Sequence, residues 1–219
     1  MRLYGLALSC ALLTSVAMAS TTCDRRDYRP VPGMTAEQSG DAITFTWPGE
    51  SNEQLRARFT IRDGQPLVSE LAARANGGAW QMLGRDLVPE FQVTTGKRRL
   101  SSTQLNYMKK LGIDTPEEEE KRKWNTFWDA PLVIPGHRDS TDLPRNPNEI
   151  RRGVSRFSST GCSLASDGDR ISLTFDGLTL GVFYGDLRFT AYKGSNLLRQ
   201  EAIAKTEEPS VAYIYKAGL

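Results

Sequence analysis

Apolar residues recur at every second position over much of this chain. Ile43, Phe45 and Trp47 alternate with Thr44 and Thr46. Leu55, Ala57, Phe59 and Ile61 alternate with Arg56, Arg58, Thr60 and Arg62. A period of two sends neighbouring side chains to opposite faces, so each run reads as a strand with one face toward a core. Pro48-Gly49, Asp63-Gly64 and Asn76-Gly77-Gly78 separate the runs, and Asp-Gly is a strong tight-hairpin signal. Short strands are predicted over 67–71, 80–83 and 91–95. The pattern returns late in the chain. Ile171, Leu173 and Phe175 alternate with Ser172 and Thr174, and Leu187, Phe189 and Ala191 with Arg188, Thr190 and Tyr192. Turns are predicted at Asp167-Gly168-Asp169, Asp176-Gly177 and Lys193-Gly194-Ser195-Asn196, with final strands over 198–204 and 211–215.

The middle of the chain has a different period. Leu105, Met108 and Leu111 are spaced by three, and Gly112 follows. Thr115 is placed as an N-cap, with Pro116 in the first helical position and Glu118 completing a capping box. Glu117–Lys121, Glu118–Arg122 and Glu119–Lys123 are acid-before-base pairs at i,i+4, and Trp124, Phe127 and Trp128 form an apolar stripe. This predicts a helical hairpin over 101–130. A Pro-rich loop is predicted over 131–150 and a polar lead-in loop over 20–40. The expected fold is mainly β: one antiparallel β-sandwich domain, 41–219, carrying the helical insertion.

The first 19 residues change the setting. Arg2, an apolar stretch and Ala17-Met18-Ala19 read as a signal peptide cleaved before Ser20. The expected location is secreted or periplasmic, with no membrane association after cleavage. At the other end, the β-prone stretch 211–215 lies close to Leu219 without a charged device to guard its edge. It reads either as a natural edge strand or as the front piece of a longer secreted protein with further domains. The second is the working expectation.

Composition narrows the chemistry. The formal net charge is +2, which gives no electrostatic case for nucleic acid. Of three cysteines, Cys10 leaves with the leader. Cys23 and Cys162 remain as a candidate disulfide in an oxidising compartment, the alternative being two free thiols. The single histidine, His137, lies in the Pro-rich loop with no nucleophile motif near it. Asp176, Asp186 and Glu201 are the acids available for a carboxylate pair, although acids at turns and strand ends are ordinarily just solvated. No cofactor and no metal site is expected, and Asp167-Gly168-Asp169 lacks the rest of a calcium loop. Trp124 and Trp128 read either as a core stripe or as a sugar-stacking platform. Trp47, Trp80, Tyr184 and Tyr192 share that ambiguity. Arg199, Glu201 and Lys205 alternate along one strand face, either solvated or facing a ligand.

Residues 181–193, Gly-Val-Phe-Tyr-Gly-Asp-Leu-Arg-Phe-Thr-Ala-Tyr-Lys, continuing to Arg199, and residues 124–132, Trp-Asn-Thr-Phe-Trp-Asp-Ala-Pro-Leu, carry a resemblance. The chain resembles the β-rich, galactose-mutarotase-like sandwiches that precede catalytic barrels in some secreted bacterial glycoside hydrolases. The resemblance implies a sandwich fold and a carbohydrate context, and it transfers no catalytic residue. The expectation is a secreted accessory domain that binds extracellular carbohydrate, with Trp124, Trp128, Tyr184, Arg199 and Glu201 as candidate ligand contacts. A secreted hydrolase with its own carboxylate site and a structural envelope protein without a small-molecule ligand are the alternatives.

Overall fold

The computed structural model describes residues 23–75, 77–97, 109–112, 150–208 and 211–219. The described strands are β1 (Cys23–Asp27), β2 (Thr35–Ser39), β3 (Ala42–Pro48), β4 (Glu53–Arg62), β5 (Gln65–Ala75), β6 (Gln81–Leu87), β7 (Glu90–Lys97), β8 (Arg151–Phe157), β9 (Cys162–Asp167), β10 (Arg170–Leu180), β11 (Phe183–Tyr192), β12 (Leu198–Lys205) and β13 (Val211–Gly218). They form two sheets. The smaller is an antiparallel meander in the order β2-β3-β4-β5-β6. The larger runs β1-β9-β10-β8-β7-β13, with β11 on the other edge of β10 and β12 beyond it.

Alternation decides which face is buried. Phe45, Trp47, Ala57, Phe59 and Val68 of the smaller sheet and Ile171, Leu173, Leu187, Phe189 and Ala191 of the larger are all fully buried in one cluster. The ring centroids of Phe59 and Phe189 lie 4.9 Å apart, joining the sheets. Burying each valine, leucine, isoleucine or phenylalanine of this cluster contributes about 1.5–3 kcal/mol.

Loops tie the sheets together at two places. Trp47 Nε1 donates to the Ser195 carbonyl at 2.8 Å, Gly194 N to the Pro48 carbonyl at 2.9 Å, and Glu50 N to Asn196 Oδ1 at 3.0 Å. Elsewhere, Ser159 N donates to the Gly64 carbonyl at 2.9 Å, while Ser158 N, bonded to the Gly177 carbonyl at 3.0 Å, holds the same loop to β10 within the larger sheet.

Several expectations need correction. Residues 20–40 are not simply a lead-in loop, because β1 and β2 lie within them. β1 pairs with β9 in parallel, an exception to the expected antiparallel order. Asp176-Gly177 does not end a strand. It is a bulge inside β10, where the partner on one edge changes from β9 to β8. No helical hairpin is seen among the described residues. Of 101–130, only 109–112 is described: Lys109 and Lys110 are helical, Leu111 and Gly112 form a turn with Gly112 N donating to the Lys109 carbonyl at 3.0 Å, and the rest of the expected hairpin lies outside the described residues. The expected leader, and the Pro-rich loop 131–150 apart from Ile150, lie outside the described residues.

Candidate functional site

The inward face of the larger sheet extends past the part that meets the smaller one. There it forms a groove of about 510 Å³ between β12 and β13. Its lining includes Phe91, Val93, Leu180 and Phe183, with Ala202 and Ala204 on one side and Tyr213, Tyr215 and Ala217 on the other. Small residues make the space. Along β11 the inward positions run Phe189, Leu187, Gly185, and along β12 they run Leu198, Gln200, Ala202, Ala204, each opposite its register partner.

The aromatic side of the groove is β13. Antiparallel register sets Tyr213 opposite Thr95, Tyr215 opposite Val93 and Ala217 opposite Phe91. Residues opposite one another share a face, so both tyrosines stand on the side of buried Val93 and Phe91. Phe183 meets Tyr213 edge-on with centroids 5.5 Å apart, and Tyr213 lies 6.4 Å from Tyr215. Tyr213 is 57% exposed and Tyr215 64%. Facing them, Gln200 donates Nε2 to the Gly218 carbonyl at 3.1 Å, while its Oε1 is buried with no hydrogen-bond partner. An unmet buried acceptor costs about 1–3 kcal/mol.

The candidate residues from sequence divide between places. Arg199 and Glu201 belong to the outward face of β12, where they are ion-paired at 2.7 Å, and they also line the groove. Arg199 Nη1 donates to the Tyr192 hydroxyl at 3.2 Å. That bond, with Glu201 next, holds the guanidinium above its ordinary value. Tyr184 is outside the groove, also on the outward face. Its hydroxyl donates to Glu207 Oε1 at 2.7 Å, and Lys205 Nζ stands 5.2 Å from its ring centroid. The Tyr184 hydroxyl, then Glu207, raises the Lys205 ammonium, while Tyr184, then Lys205, lowers the Glu207 carboxyl. Trp124, Trp128 and His137 lie outside the described residues.

The outward face of the larger sheet is polar. Ser172 Oγ and Thr190 Oγ1 are 3.0 Å apart, and Arg188 Nε donates to Thr174 Oγ1 at 3.1 Å. Asp24, Asp176 and Asp186 border one depression there. Asp176 is already engaged: Ser159 Oγ donates to it at 2.9 Å, Thr160 N at 3.0 Å, Gly161 N at 3.2 Å and Thr160 Oγ1 at 3.3 Å. Burial opposes its charged form, yet these donors together bring the carboxyl below its ordinary value. Asp176 is therefore a loop anchor, the opposite of a general acid, whose pKa must be raised. Among the described residues no cluster of His, Cys, Asp and Glu could hold a metal ion.

Cys23 and Cys162 are bonded as a disulfide at directly opposed positions of β1 and β9, with Cα atoms 4.6 Å apart. Trp47 is fully buried, so it stacks on no ligand. Trp80 is half-buried, with the Arg56 and Arg74 guanidiniums 4.3 and 4.5 Å from its ring centroid. The aromatic surface thus falls to tyrosines that sequence reading passed over. The missed signal is small inward residues at spacing two on β12, Ala202 and Ala204, together with Tyr213 and Tyr215 at spacing two on β13.

Comparison with protein-family models, with curated proteins and with solved structures found no match. Among the described residues no helix is long and apolar enough to cross a membrane.

Proposed function

We propose that this chain is a secreted β-sandwich module that binds extracellular saccharide in the groove between β12 and β13. The observation that carries this reading is the convergence of the exposed Tyr213 and Tyr215 with Phe183 on one groove. A pyranose offers apolar C–H faces and a rim of hydroxyls, which suits exposed tyrosine rings whose hydroxyls can donate and accept. The sandwich reading is supported by the shared core and the two sets of loop ties between the sheets. The leader read over residues 1–19 supports export.

The test is affinity electrophoresis of the oxidised protein against neutral polysaccharides, including xylan, mixed-linkage glucan and galactan. At least one should retard migration, and Tyr215→Ala should weaken that binding about thirtyfold, an anchor contribution of about 2 kcal/mol. Unchanged migration in every polymer would overturn the reading.

A further inference from the structure

The outward face of the five-stranded sheet carries an arginine cluster away from the groove. β4 presents Arg56, Arg58 and Arg62 there, between the core-facing Leu55, Ala57, Phe59 and Ile61. Register sets Arg58 opposite Glu70, Glu70 opposite Arg85, and Gln54 opposite Arg74. The acids on this face are few and largely used. Glu70 accepts from Arg56 Nε at 2.6 Å, and Asp86 pairs with Arg62 at 3.0 Å. Glu37 sits two strands away from β4, opposite Thr44. Arg74 donates Nε to Gln54 Oε1 at 2.8 Å, a neutral acceptor. Among the described residues the guanidiniums of Arg58, Arg74 and Arg85 have no carboxylate partner.

We propose that this face binds an acidic polysaccharide, a linear glycan carrying carboxylate or sulfate groups. Three arguments converge. The positive charge is local, since the whole chain carries only +2, so general attraction would not explain retention on a polyanion. Guanidinium forks match carboxylate and sulfate oxygens in pairs, and here they stand on a rigid strand with Trp80 beside Arg56 and Arg74. Along β4 the arginines are spaced by about 7 and about 13 Å, which suits charges repeated along a polymer rather than one small anion. This surface is independent of the groove, so either can fail alone.

The experiment measures retardation by polygalacturonate and by dextran sulfate, with neutral dextran and a short DNA duplex in parallel. At least one acidic glycan should bind, neutral dextran should not, and binding should weaken at least tenfold between about 50 and 300 mM salt. An Arg58→Gln/Arg85→Gln double variant, which removes no ion pair, should weaken binding at least fivefold, and adding Arg74→Gln at least twentyfold. Tyr215→Ala should leave this binding unchanged, which separates the face from the groove. Absence of binding to both acidic glycans at low salt, or unchanged binding by the folded double variant, would overturn the proposal. So would a DNA duplex bound as tightly as the better glycan.

Discussion

One face of the larger sheet has two fates. Where Phe59 of the smaller sheet reaches Phe189, every large side chain is sealed from water. Farther along the same face, Phe183, Tyr213 and Tyr215 line an open groove. Both regions are built from alternating strands, so alternation alone does not decide which becomes core. Coverage decides it. The difference teaches that an inward position is a core position only where an opposing element supplies atoms to fill it. The boundary is visible in β10: Ile171, Leu173 and Phe175 precede the bulge at Asp176-Gly177, while Leu180, beyond it, lines the groove.

The sharpest way to break the covered region is Phe59→Ala. This ring touches Phe45 at 5.1 Å and Phe189 at 4.9 Å between centroids. Truncation should remove about 4 kcal/mol, a transfer loss plus a cavity that neighbours only partly refill. Chemical denaturation followed by tryptophan fluorescence measures it. A loss below about 1 kcal/mol would mean that the two sheets do not depend on this junction.

Next in size is the disulfide, on the flank of the covered region. It spans a sequence separation of 139 residues, so reduction frees a long loop in the unfolded chain. Replacing Cys23 and Cys162 together by serine should cost about 3 kcal/mol, below the chain-entropy figure because native relaxation offsets part of it. The midpoint of the oxidised wild type should fall toward that of the variant when a reductant is added. Equal midpoints with and without reductant would contradict it.

Parts of this architecture are legible in the sequence for physical reasons. Asp63-Gly64 reads as a two-residue hairpin turn, and both residues indeed take positive φ, 51° and 78°, between Arg62 and Gln65. The buried faces of β3, β4, β10 and β11 follow their alternation. β1 and β2 escape detection because they bury little: Cys23 is the one buried residue of the first, Ala36 of the second. Their strands are fixed by ladder bonds, the disulfide and the Arg25 guanidinium on the Ala36 carbonyl at 2.9 Å. A bulge at Asp-Gly has the same local composition as a turn, and only a long-range partner separates them. At Gly177 φ is 77°, and a Cβ would stand 2.7 Å from the Ser158 carbonyl oxygen, so the loop before β9 defines that site. Of the site, Arg199 and Glu201 were readable as a strand-face row. The tyrosine groove was not, because its space comes from what Ala202 and Ala204 lack.

A smaller effect probes the boundary itself. Asp176 ties the Ser159–Gly161 loop to the bulge, and its folded pKa lies below its ordinary value. A depressed carboxyl stabilises the fold at pH above its unfolded value, near 4, and that stability is lost as pH falls through the lower folded value. Asp176→Asn should therefore cost about 1 kcal/mol at pH 7, the low end for charge-assisted hydrogen bonds because the residue remains in contact with solvent. The variant and wild type should converge in stability as pH is lowered below about 4. A constant difference from pH 7 to pH 2.5 would show that charge at Asp176 is not what holds the bulge.

The smallest stability effect belongs to the open region, and it separates the two fates most cleanly. Tyr213 and Tyr215 contribute aromatic area to the groove but stand mostly in solvent, so truncating either removes little buried surface. Tyr215→Ala should change unfolding free energy by less than about 0.5 kcal/mol, as surface substitutions ordinarily do, while weakening saccharide binding in the groove. Phe59→Ala should do the reverse, lowering stability yet leaving saccharide affinity of the folded fraction unchanged. The paired measurement is a denaturation midpoint and a polysaccharide retardation for each variant under one buffer. If Tyr215→Ala instead costs more than about 2 kcal/mol, the tyrosine is packed as core, and the groove is filled by protein rather than open to ligand. The contrast between covered and open face would then disappear.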